Sequence, residues 1–118
     1  MPIVKILALP PKDSNQIDDI LTEVARKLAD ALDTMPSNVW VHFVPLTYFC
    51  EGGSVPAESA HHPVITVLAN PRPEELINRG LQAVATAVAA GLGLPLENIW
   101  MHWVDLPPGR VYADGTVR

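Results

Sequence analysis

The chain begins MPIVKI, with a proline directly behind the methionine and ahead of an apolar alternation. A proline in that position normally permits removal of the methionine. Pro2 would then carry a terminal secondary amine. An ordinary α-amino group titrates at about 7.7–8.0. Burial disfavours the ammonium form, and a nearby cation pushes the same way. In an apolar pocket beside an arginine, such a nitrogen would be neutral near pH 7 and able to act as a general base. The ring fixes the direction of its lone pair. A purely structural role competes with this reading, because a proline at the first position of a strand breaks no ladder. Pro63 opens a similar stretch, PVITVLA, but it is internal and its nitrogen is an amide. The chain therefore offers one such amine. His61 and His62 are adjacent in the segment SVPAESAHH, with no third ligand at metal spacing, so no metal site is expected. The single cysteine, Cys50, cannot form a disulfide within the chain. It has no activating sequence neighbour and reads as a small apolar side chain.

The elements that must position these groups come from a chain of 118 residues, the length of one domain. Nearly half of the residues are apolar, enough for a core. The net charge is −5, and the 8 basic residues are scattered singly. This argues against a nucleic-acid partner and against a membrane surface. No apolar run reaches the roughly 18–20 residues of a membrane span. The start lacks the charged and apolar regions of a secretory leader. A cytoplasmic protein is the expectation.

The chain is written twice. PIVKILA (2–8) resembles PVITVLA (63–69) at an offset of 61. NVWVHFVPL (38–46) and NIWMHWVDL (98–106) share five of nine residues at an offset of 60. Between them lie two stripes with helical spacing. The first is Ile17, Leu21, Val24, Leu28 and Leu32; the second is Ile77, Leu81, Val84, Val88 and Leu92. The pseudo-repeats run over 2–53 and 63–115, with 54–62 as linker. Each reads strand, helix, strand.

The first helix is expected to start near Asp13, with Gln16 as a capping-box partner, and to end by Met35-Pro36. The second has Pro73 in its first turn, with Gly91 and Gly93 punctuating its end. Within each repeat a right-handed crossover makes the two strands parallel. The expected fold is α/β (α+β): two tandem β-α-β units forming a four-stranded mixed sheet with two helices on one face. Over 39–44 both alternating sets are largely apolar, yet two helices cover only one face. The other face calls for a homo-oligomer whose sheets face one another. Two tails, TYFCEGG (47–53) and GRVYADG (109–115), are candidates to pair with a neighbouring sheet edge. The stretch Ala113-Asp114-Gly115-Thr116 is a hairpin-turn signal.

The stretches MPIVKI, LANPRPEEL (68–76) and NIWMHWVDLPPG (98–109), set in this doubled pattern, resemble the tautomerase superfamily over nearly the whole chain. Each half is similar to 4-oxalocrotonate tautomerase. The whole resembles the two-unit members, among them macrophage migration inhibitory factor and the malonate semialdehyde decarboxylases, with the closest look to the cis-3-chloroacrylic acid dehalogenase branch. The resemblance implies a trimer, no cofactor, and a small carboxylate substrate. It implies Pro2 as the catalytic proline and Arg72 as the arginine that binds and polarises a carboxylate. Lys12 is the repeat partner of Arg72, at a position where single-unit tautomerases often carry an arginine. His102 stands where the dehalogenase branch has a tyrosine that orients water, and His42 is its counterpart in the first repeat. His102 or Asn70 is a candidate to hold a second substrate oxygen. Trp100 and Tyr112 are candidate pocket walls.

The chain departs from the dehalogenase branch at three places. Asn70 and Pro71 precede Arg72 where that branch pairs two arginines. Ala29 lies near the position of its helix histidine, and Ala113 at that of its water-activating glutamate. Tautomerisation needs only a proton carrier and a carboxylate grip. The reading is therefore an isomerase acting on a small 2-oxo (enol) acid. The alternatives are a hydratase, dehalogenase or decarboxylase of a short unsaturated or 3-oxo acid, and a non-catalytic oligomeric scaffold.

Overall fold

The computed structural model describes residues 1–57 and 60–118, so part of the expected linker, 58–59, lies outside the described residues. Strand β1 (Ile3–Ala8) leads to helix α1 (Asn15–Ala31) and strand β2 (Trp40–Pro45). The second unit repeats the order with β3 (Val64–Ala69), α2 (Glu74–Leu92) and β4 (Trp100–Asp105). A small hairpin, β5 (Tyr112–Ala113) and β6 (Thr116–Val117), follows. The four long strands form one mixed sheet in the order β2-β1-β3-β4. Strand β1 is parallel to β2, and β3 to β4, while the two units meet through the antiparallel pair β1 and β3.

Period-two alternation decides which side chains meet the helices. Val4, Ile6, Ile65 and Val67 are fully buried beneath Ile20, Val24, Leu28, Val84 and Val88. The opposite face carries three rows running across all four strands. Ile3, Trp40, Leu68 and Val104 form one apolar row. Leu7, Val44, Val64 and Trp100 form the other. Between them run His42, Lys5, Thr66 and His102. Trp40 is 52% exposed and Trp100 56%, so this face is uncovered in the single chain, as the doubled apolar alternation requires.

Three local expectations differ from the structure. Helix α1 starts at Asn15 and has no side-chain cap; the Asp13 carboxylate accepts from the Asn15 N–H (2.9 Å) instead of pairing with Gln16. An Asx-type turn thus satisfies one donor at the helix start, and the Asp13 carbonyl accepts from the Gln16 N–H (3.0 Å). The helix also closes at Ala31, four residues before Met35, where Asp33 takes a positive φ of 55°. Arg79 of α2 donates to the Ala31 carbonyl (2.6 Å) and so supplies that helix end with a cation. Gly93 does end α2, in the left-handed conformation. Gly91, however, lies inside the helix, where a Cβ would collide with Ile20 Cγ1. It is there because the two helices touch.

Gly91→Ala is consequently a test of that contact. Helix propensity would favour alanine by about 1 kcal/mol. Overpacking against the buried Ile20 costs about 1–3 kcal/mol. The variant is expected to unfold at lower denaturant concentration than the parent, with an unchanged slope; a higher midpoint would mean that the helices separate freely.

Candidate active site

The ring of Pro2 is fully buried. Its carbonyl accepts from the Trp40 N–H (3.0 Å), which continues the parallel β1–β2 ladder by one residue. Met1 ahead of it is half exposed. On the other side of β1, Ile3 pairs with Leu68. One further step along this antiparallel register sets Pro2 beside Ala69, the last residue of β3. The chain then turns through Asn70-Pro71-Arg72-Pro73 into α2. Two prolines restrict that turn: each fixes its own φ and keeps the preceding residue out of the helical region. Pro73 is the helix cap, with ψ at 145°, and its carbonyl accepts from Leu76 and Ile77. Arg72 is half-buried and donates through Nη1 to the Asn70 carbonyl (3.0 Å). Among the described residues no carboxylate pairs with it. The antiparallel meeting of the two units thus brings the chain start, Asn70 and Arg72 to one end of the sheet.

The remaining candidates lie elsewhere in the same chain. Lys12 follows the far end of β1. Six residues at about 3.3 Å each place that end roughly 20 Å from Pro2. Trp100 pairs with Val64, and its N–H donates to the Pro63 carbonyl (3.1 Å), so it marks the same far end. His102 lies at mid-sheet on the uncovered face, its ring 5.3 Å from that of Trp100. Tyr112 is 73% exposed on the β5–β6 hairpin, whose turn forms at Asp114 and Gly115 with φ of 52° and 79°. Those positive values suit the I′ turn expected of Asp-Gly. A cleft of about 750 Å³ between α1 and α2 includes none of the candidate residues. Among the described residues no group of histidine, cysteine and carboxylate side chains could hold a metal ion, and no helix is long and apolar enough to cross a membrane.

The architecture has close counterparts among solved structures. An asymmetric trimer of wild-type fused 4-OT superposes with a TM-score of 0.88 at 18% identity, covering 98% of this chain and 94% of that one. N1, a member of the cis-3-chloroacrylic acid dehalogenase family, gives 0.78 at 17% identity, over 98% and 82%. Malonate semialdehyde decarboxylase gives 0.74 at 16% identity, over 98% and 92%. The chain has the tautomerase fold. By sequence, no family model and no curated protein matches it.

Within this tautomerase fold the two ends of the sheet are pseudo-equivalent but chemically different. Arg72 corresponds to Lys12, and Pro2 to Pro63. Asp105, which pairs with Ala69 at the Pro2 end, corresponds to Pro45 at the other. Asp105 was not singled out in the sequence, although the mismatch between HFVPL and HWVDL carried the signal. His61 falls within the expected linker, yet it is only 2% exposed. Its Nε2 accepts from the Leu9 N–H (3.2 Å), Phe49 lies edge-on at 6.4 Å, and its carbonyl accepts from Asn98. At the Pro63 end, a histidine thus fastens the incoming chain to β1.

Its neighbour His62 fastens the first tail. The Glu51 carboxylate accepts from the His62 N–H (2.7 Å) and lies 2.6 Å from its Nδ1. Those two hydrogen bonds, the backbone one first, hold the Glu51 carboxyl below its ordinary value of 4.5. A lowered folded-state pKa contributes stability at pH above the ordinary value and loses it as pH falls through the lowered one. Wild type and Glu51→Gln should therefore differ in denaturation midpoint at pH 6, and the gap should close as pH falls through the lowered Glu51 value. A gap that persists in acid would show that the carboxylate contributes nothing as an anion.

Proposed function

We propose that the chain is a tautomerase-superfamily isomerase of a small 2-oxo acid, with Pro2 as its proton carrier after Met1 is removed. The observation that carries this reading is the antiparallel β1–β3 register. It sets the buried Pro2 beside the end of β3, three residues before Arg72, whose guanidinium has no carboxylate partner among the described residues. In the reaction, the Pro2 nitrogen takes the enol hydroxyl proton of a 2-hydroxy-2-enoate. The resulting proline ammonium returns a proton to C3, and the 2-oxo acid is formed with no net gain or loss of protons. Arg72 grips the carboxylate through its planar fork and stabilises the negative charge that develops on the 2-oxygen. Asn70 lies beside it to hold the second oxygen.

Lys12 and Trp100 at the far end of the sheet, and His102 at mid-sheet on the uncovered face, are too far along the same chain to join this site. In this reading they serve from a neighbouring copy, in a trimer that also covers the uncovered sheet face. That face measures roughly 19 Å by 20 Å from strand spacing and rise, and its two apolar rows are what a neighbouring copy would cover.

The test is the rate of ketonisation of short 2-hydroxy-2-enoates by purified protein of measured intact mass. The reading requires catalysis by chains that lack Met1. Asp105 favours a second reading, since a carboxylate at the level of Pro2 can take a proton from water. Hydration of an acetylenic or haloacrylic acid, followed by incorporation of labelled water, would select that reading over the first.

A further inference from the structure

The row His42, Lys5, Thr66 and His102 is the one part of the uncovered face that apolar packing cannot satisfy. Lys5 pairs in register with His42 on one side and Thr66 on the other, and Thr66 with His102. The rows that flank it are entirely apolar. None of the twelve side chains that β1 to β4 direct to this face is a carboxylate, and among the described residues Lys5 has no ion-pair partner.

We propose that this row binds a small multivalent oxyanion, of the sulfate or phosphate class, between copies of the chain. The inference rests on the trimer reading above. In a closed assembly of identical chains, each copy presents the same row to the interior. The sheets therefore bring further ammonium groups together and no counter-charge. An ammonium taken out of water without a partner is strongly disfavoured. The counter-charge has to come from solution. Charge-assisted hydrogen bonds from Lys5, with the Thr66 hydroxyl and the imidazole N–H groups as further donors, suit an oxyanion with several acceptor oxygens. Two of the chain's own carboxylates are the competitors. Asp105 closes β4 with the helix-facing parity, and Asp114 is held by Arg118 at 3.1 Å.

Sedimentation of the full chain in chloride, and in millimolar phosphate or sulfate at equal ionic strength, tests the proposal. The wild-type assembly should dissociate at concentrations about tenfold or more lower in the oxyanion buffers. Lys5→Met should associate tightly in both and gain from the oxyanions no more than their general effect on apolar burial. Sulfate strengthens apolar burial in general, but it does so for both proteins alike, so the difference between them is the readout. No response in the wild type, or an equal response in both, overturns the anion site and assigns Lys5 to water or to a neighbour's carboxylate. In that outcome a trimer still leaves the proposed function standing. A chain that stays monomeric in every buffer overturns the trimer reading and the anion site together.

Discussion

Pro2→Ala is expected to lower kcat/KM for enol ketonisation by about 10²–10⁴-fold, the range that a positioned proton carrier contributes. Alanine at position 2 leaves a primary amine on a freely rotating terminus, so the base loses both its fixed lone pair and its burial. The ring also packs, since it is fully buried, and its loss will cost some stability. A second sample separates the two effects. Protein produced with Met1 retained keeps the ring but converts its nitrogen to an amide, which has no basic lone pair. Both samples should show a loss of that order while circular dichroism reports an unchanged fold. Activity in the Met1-retained protein would assign the chemistry to another residue.

Arg72→Gln is expected to cost about 10²–10³ in kcat/KM, the loss that follows removal of one strong donor to a developing oxyanion. Glutamine keeps a planar end but neither the charge nor the five-donor fork. Arg72→Lys keeps the charge and should recover only part of the loss, because an ammonium cannot grip a carboxylate bidentately. The substitution has a second consequence that a structural role would not produce. The guanidinium disfavours protonation of a nearby amine. Its removal therefore raises the pKa of Pro2, and the acidic limb of the pH–rate profile of Arg72→Gln should move to higher pH. An unmoved limb would place the guanidinium outside the field of the Pro2 nitrogen.

The repeat made most of this fold legible. Three segments agreed on offsets of 60 and 61, and periodicity alone then separated strands from helices. The same alternation showed that one sheet face would be left uncovered. What stayed hidden was mostly tertiary. Gly91 read as punctuation because a sequence does not show that Ile20 of another helix lies against it. His61 read as linker because its burial depends on Leu9, 52 residues earlier, donating to its ring. The capping box failed because Asp13 satisfied the Asn15 N–H locally.

The residues of the proposed site could be picked out by type, whereas their grouping could not. Pro2 and Arg72 are 70 positions apart, and only the antiparallel pairing of the two units brings them to one end. Lys12 looked like the natural companion of Arg72 because it holds the same place in the repeat. Pseudo-symmetry sends it to the opposite end for that very reason. Asp105 was overlooked because a strand end carrying an acidic residue is common, and its meaning comes from the contrast with Pro45.

The central claim concerns one nitrogen, and ¹⁵N NMR titration of proline-labelled mature protein observes it directly. The account predicts a terminal Pro2 resonance that titrates below the ordinary α-amino range of about 7.7–8.0, because burial and Arg72 both disfavour the ammonium. A resonance that titrates within or above that range, or a Pro2 nitrogen still bonded to Met1 that does not titrate at all, would contradict it.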